Sequence, residues 1–139
     1  IADRVRFFGY RDDVPELLAQ ADIATLTSIK EGVPRAALEA MASGIPMVAT
    51  RIAGTEDAVR DGETGYLVEL GDVDALTERL AGLIADPDLR WQMGRRGREL
   101  VCTQCDESTI IESLASVYRS QLLLKGIAAR VMVQRVVEQ

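Results

Sequence analysis

An α/β domain with a Rossmann-like parallel sheet and helices on both faces is the fold this sequence predicts. Two observations predict it. Short, apolar, β-branched runs alternate along the chain with longer stretches whose apolar residues recur at helical spacing. Loops carrying Gly or Pro follow several of those runs and open into helices, as strands alternating with helices do in a parallel sheet. The composition is that of an ordinary globular chain: 139 residues, 47% hydrophobic and 27% charged, enough for a real core.

In chain order, Val5 to Gly9 reads as a strand. Asp12-Asp13-Val14-Pro15 opens a helix, with an Asp as cap, Pro15 in the first turn, and Leu17, Leu18 and Ala21 as its apolar side. Asp22 to Thr27 reads as a buried strand. A helix follows from about Pro34 to Ser43; Gly44 ends it as a C′ glycine and Pro46 prevents its continuation. Met47 to Thr50 is a short apolar strand. A loop carrying Gly54 leads into a brief helix, about Thr55 to Arg60. Asp61 to Gly65 is a turn, and Tyr66 to Val68 a further strand.

Three helices close the chain. Asp72 caps the first, whose Val73, Leu76, Leu80, Leu83 and Ile84 share a face. Asp86-Pro87 starts the second, with Leu89, Met93, Gly97 and Leu100 inward and Trp91 packed beneath it. Asp106 starts the third, with Ile110, Ile111, Leu114, Val117, Tyr118 and Leu122 on one stripe. The segment 126–139 is mixed apolar and basic and carries no functional reading. The expected organisation is a domain over 1–125 followed by that tail.

Several function classes are disfavoured. A net charge of −6 argues against a nucleic-acid surface. No apolar run approaches the ~18 residues of a membrane span. The absence of histidine removes histidine bases, Ser-His triads and most zinc sites. Cys102 and Cys105 form a lone C-x2-C that follows a helix, which reads as two reduced, inert thiols of a cytoplasmic protein. Arg90, Arg95, Arg96 and Arg98 read as a solvated helix face, with peripheral contact to an acidic membrane as the alternative. The chain begins at Ile1, without a signal-peptide pattern and almost inside a strand, so it is expected to be a piece of something longer.

The run Glu31 to Thr50, EGVPRAALEAMASGIPMVAT, carries the chemistry. It places Glu31 in a Gly32-Val33-Pro34 loop after a strand, and Glu39 one to two turns into the next helix. That geometry aims free backbone N–H groups and a helix dipole at an anion. Two carboxylates beside such a site are placed to accept hydrogen bonds from sugar hydroxyls. The bland reading of Glu39 is an i,i+4 pair with Arg35, worth only ~0.3–0.5 kcal/mol. Yet Ala36, Ala37, Leu38, Ala40, Met41 and Ala42 surround it, and a carboxylate on a helix apolar nearly all round needs a partner, which favours ligand contact. Ser28 stays open between a loop polar group and a ligand contact. Ligands of parallel sheets bind outside the carboxyl ends of the strands, where Glu31 and the Gly54 loop both fall.

Ser28 to Thr50, S-I-K-E-G-V-P-R-A-A-L-E-A-M-A-S-G-I-P-M-V-A-T, resembles the signature of retaining nucleotide-sugar glycosyltransferases of the two-Rossmann-domain (GT-B) type, family four. F-F-G-Y at Phe7, A-D-I-A at Ala21, A-G-T-E-D-A-V at Ala53 and D-G-E-T-G-Y-L-V at Asp61 agree in order and spacing, and the likeness covers roughly residues 4 to 123. It implies the C-terminal, donor-binding part of a GT-B fold. Glu31 would hold the hydroxyls of the transferred sugar as the catalytic-site carboxylate. The backbone N–H groups of Gly32, Val33 and Arg35, around Pro34, would meet the sugar and diphosphate, and Glu39 the ribose.

The donor would be a UDP- or GDP-linked sugar, with no cofactor and no metal. The acceptor would be a glycan, lipid or small molecule, bound through an N-terminal domain absent from this chain. Self-association through an open sheet edge is a further expectation. Two departures weaken the role of the 53–57 loop: Ala53-Gly54 stands for the family's Gly-Gly, and Asp57 for its Glu. The family's basic pair that neutralises the diphosphate is absent. The alternatives are a non-catalytic nucleotide-sugar-binding module or truncated fragment that needs a partner domain, and a GT-B-type nucleotide-sugar epimerase.

Overall fold

The computed structural model describes residues 1–105 and 107–124. The chain divides into two compact units after Glu99. In the first, α1 (Val14–Leu18) precedes a β1–α2–β2–α3–β3 series: Ala24–Leu26, Arg35–Ala42, Met47–Thr50, Ala53–Ala58 and Gly65–Val68. The three strands pair in chain order and in parallel, Ala24 opposite Met47 and Met47 opposite Gly65. Parallel neighbours need a crossover, and α2 and α3 supply the two. All four residues of β2 are buried, so the central strand is covered on both faces. Ala37, Ala40 and Met41 are the buried residues of α2, which packs on β1 and β2. Val48 and Val68 pack instead with Leu83 of α4 (Val73–Ala85) and Met93 of α5 (Pro87–Gln104).

The helix ends follow local chemistry. Gly44, at φ +78°, closes α2. Its N–H donates to the Met41 carbonyl and the Ile45 N–H to Ala40, the paired bonds of a Schellman motif. The Asp72 carboxylate accepts from the Ala75 N–H at 2.9 Å and starts α4. The Asp86 carboxylate accepts from the Leu89 N–H at 2.9 Å and starts α5. Arg90 donates to the Leu83 and Ile84 carbonyls at 2.6 and 2.9 Å, satisfying orphan acceptors at the end of α4. It is therefore no part of a free basic face.

Several expectations are corrected. Val5 to Gly9 is not a strand: no strand lies beside it among the described residues, and without a partner for its N–H and C=O groups it stays single, with Phe7 96% exposed. A 3-10 turn, Ala2–Arg4, precedes it. β1 is half-buried rather than buried, as befits the last strand on its side of the sheet. Asp13 precedes α1 but its carboxylate does not cap; Arg11 holds it, lowering its pKa and raising that of Arg11. Ala21 is exposed. α3 begins two residues early, because the Thr55 hydroxyl accepts the Ile52 N–H. Val73 and Ile84 lie off the buried face of α4. Trp91 is exposed, with the Arg95 guanidinium 5.0 Å over its ring.

In the second unit, α6 spans Glu107–Leu124. Its apolar stripe from Ile110 to Tyr118 is exposed, and Leu122 is half-buried. Cys102 and Cys105 are free and exposed. Asp106 and the 126–139 tail lie outside the described residues. Among the described residues no helix is long and apolar enough to cross a membrane.

Candidate functional site

The sheet's carboxyl edge gathers the loop Thr27–Pro34, the end of β2 with the start of α3, and the end of β3. Thr27 leaves β1, and the chain turns through Glu31-Gly32-Val33 into α2, whose N-cap is the buried Pro34. A proline N-cap offers no side-chain acceptor to the first turn. Its carbonyl takes the N–H groups of Ala37 and Leu38, and the Val33 carbonyl takes that of Arg35 at 2.9 Å. The N–H groups of Gly32, Val33 and Ala36 have no acceptor among the described residues. Gly32 and Val33 are exposed, so their donors are open to an anion at the positive end of α2. Ala36 adds a donor that the sequence reading did not single out.

Glu31 is half-buried in this loop, and the Ser28 hydroxyl donates to its Oε1 at 2.7 Å. Ser28 thus acts on Glu31, a third alternative beside the two left open. Glu39 stands one turn into α2 on the exposed side, 47% exposed, with Arg35 at 3.9 Å. Contrary to the sequence reading, α2 is not apolar all round. Ala36 and Ala42 lie in solvent with Glu39, because alanine is small enough to line either face. The Arg35 pair is exposed and weak, so it leaves Glu39 free to exchange partners. Glu39 also lines a groove of about 420 Å³ with Asp12, Val14, Pro15, Leu18, Ala42 and Ser43.

The loop after β2 locks onto the Glu31 loop. Gly54 is buried, and a Cβ there would stand 2.7 Å from the Gly32 carbonyl oxygen and 2.9 Å from that of Glu31. That contact explains why a glycine stands at 54, whereas Ala53 is exposed and tolerates its methyl. Asp57 is exposed as well. Beside this contact, the buried Thr50 hydroxyl donates to the Ser28 carbonyl, and the buried Thr55 hydroxyl donates to the Thr50 carbonyl. The sequence reading passed over Thr50 and Thr55. The signal was a hydroxyl closing the apolar run Met-Val-Ala, since a buried hydroxyl must find a partner.

Arg51 follows Thr50 and gathers three carboxylates: Asp61 at 2.6 Å, Glu69 at 3.0 Å and Glu56 at 3.7 Å. The Asp61 hydrogen bond, chiefly, raises the Arg51 pKa. Burial pushes the Asp61 carboxyl up, but the Leu67 N–H and Arg51 outweigh it and hold it below its ordinary value. The cluster ties the ends of β2 and β3 to α3 and the 61–65 turn. No group of three or more potential metal ligands occurs among the described residues.

The sequence profile described as Glycosyl transferases group 1 matches residues 1–100. The chain is 40% identical over 118 residues to N-acetyl-alpha-D-glucosaminyl L-malate synthase of Bacillus anthracis, covering 85% of this chain and 31% of that protein. It superposes on Anabaena HepE in complex with UDP with a TM-score of 0.82, at 29% identity, over 86% of this chain and 33% of that one. It superposes on the C-terminal domain of a group 1 glycosyl transferase, LpcC from Francisella tularensis, with a TM-score of 0.66 at 33% identity, over 74% and 53%. The chain spans about a third of the length of the curated relatives it matches.

Proposed function

The chain belongs to the glycosyl transferases group 1 family, a GT-B glycosyltransferase family, and from that premise we propose that it is the donor-binding part of an enzyme that transfers a sugar from a nucleoside diphosphate to an acceptor hydroxyl with retention. The observation that carries the reading is the loop before α2. There the free N–H groups of Gly32 and Val33 adjoin the Glu31 carboxylate at the positive end of a helix. In this reading the N–H groups, with Pro34 shaping the turn, receive the diphosphate. Arg35 flanks it, and its own N–H joins only by leaving the Val33 carbonyl. Ser28 holds Glu31, Glu31 holds the hydroxyls of the sugar that moves, and Glu39 accepts from the ribose beside its groove.

Donors fixed on the developing charge of the departing diphosphate stabilise the transition state without reorganising. A UDP- or GDP-linked sugar serves as donor, and the chemistry requires no cofactor. Ligand-observed NMR of the chain against UDP, GDP and a panel of their sugars tests the reading. Saturation transfer to ribose and sugar protons of at least one donor is expected. Silence across the panel at millimolar ligand would overturn the reading.

A further inference from the structure

Three hydroxyl hydrogen bonds, two of them to backbone carbonyls, link α3 through Thr50 and Ser28 to Glu31. The Thr55 hydroxyl accepts the Ile52 N–H at 3.1 Å and donates to the Thr50 carbonyl. The Thr50 hydroxyl donates to the Ser28 carbonyl, and the Ser28 hydroxyl to Glu31 Oε1 at 2.7 Å. Thr50 is the pivot. Its backbone takes a bond from α3 while its side chain passes one to the Glu31 loop. It is 5% exposed, too buried for its hydroxyl to serve solvent. The Gly54 contact holds the backbone at Glu31 and Gly32, and the Thr50 bond holds it at Ser28, the residue whose hydroxyl reaches the Glu31 carboxylate.

We propose that Thr50, acting through Ser28, is a positioning residue for Glu31, locking the carboxylate in the single orientation from which it meets the donor sugar. The inference rests on the reading of Glu31 as the group that holds that sugar. Its physical basis is preorganisation: a carboxylate already held spends no rotamer entropy when the sugar arrives. Thr50→Val keeps the branched shape and removes the hydroxyl, and Thr50→Ser keeps the hydroxyl. Ser28→Ala cuts the next bond at a half-buried position, should Thr50→Val fail to fold.

Two measurements on the full chain decide it. Without ligand, three-bond couplings about Glu31 χ1 should report one rotamer in the parent chain and in Thr50→Val's control, Thr50→Ser, but averaging in Thr50→Val and Ser28→Ala. With ligand, calorimetry using UDP and UDP-glucose should show that Thr50→Val loses roughly 3- to 10-fold of the preference for UDP-glucose, with UDP affinity within about twofold. Averaged couplings in the unsubstituted chain, or a single rotamer in both Thr50→Val and Ser28→Ala, overturn the inference. So does a parallel loss of both ligands, which marks a merely structural threonine. A locked rotamer released by Thr50→Val, in a chain that binds UDP or GDP but prefers no sugar of the panel over its bare nucleotide, supports the positioning and overturns the sugar-holding role of Glu31.

Discussion

Glu31 is half-buried and held by Ser28, whereas Glu39 is half-exposed and paired only loosely, and the two should fail differently. In a two-domain form competent for transfer, Glu31→Gln should lower kcat at least about tenfold, ~1.4 kcal/mol of transition-state stabilisation, since the amide keeps the size but not the charge. Affinity for the bare nucleoside diphosphate should change little; steady-state kinetics and a titration with the diphosphate check both. Glu39→Ala should weaken the bare diphosphate and the nucleotide sugar alike. A hydrogen bond to a carboxylate is worth about 1.5–3 kcal/mol, or roughly 10–150-fold, and partial exposure puts Glu39 at the lower end. Unchanged diphosphate binding removes Glu39 from the ribose. The places of both glutamates, one in the loop before α2 and one within that helix, were legible from the Gly-Pro loop and the helical run after it. The surroundings of Glu39 were not, because a run of alanines does not say how wide a helix's buried face is. Thr50 escaped notice because its partner, the Ser28 carbonyl, is distant in sequence and belongs to the backbone.

Elements bounded by local chemistry were read well. β2 matches its expected limits, and α2 ends at the glycine that supplies its positive φ. The first segment failed because an apolar, aromatic run specifies a strand only when a neighbour pairs with it. How the helices meet was also hidden. Gly94 of α5 sits where a Cβ would come 1.9 Å from the Gly44 carbonyl oxygen, a backbone atom that cannot swing aside. Gly94→Ala gains ~1 kcal/mol of helix propensity but must push α5 off the α2 turn. The net loss should approach the upper end of about 1–3 kcal/mol, read from urea midpoints. Asp61 links elements by charge. Its carboxyl is depressed in the folded chain, so its contribution is complete above the unfolded value near ~3.9 and is lost as pH falls through the lower folded value. Urea midpoints should therefore fall less steeply with acid in Asp61→Asn than in the parent, the difference confined to low pH.

At the scale of the whole molecule, we expect the 139-residue chain alone not to transfer sugar, since it spans only about a third of the length of its relatives. Turnover by chain free of contaminating enzyme would refute this. Exposed Phe7, Phe8 and Tyr10, with β1 carrying no strand on its outer side among the described residues, favour self-association, which should raise the sedimenting mass as concentration rises. The order of the sheet has a kinetic consequence. Met47 pairs with Ala24 on one side and Gly65 on the other, both only about twenty positions away along the chain. No strand waits for a remote segment before it can add, and although the first crossover is the longer, closure entropy grows only with the logarithm of length, so the two differ by only about 0.3 kcal/mol. Assembly can thus begin at β2 and spread to either neighbour, so this parallel sheet should form faster than one whose adjacent strands come from opposite ends of a chain.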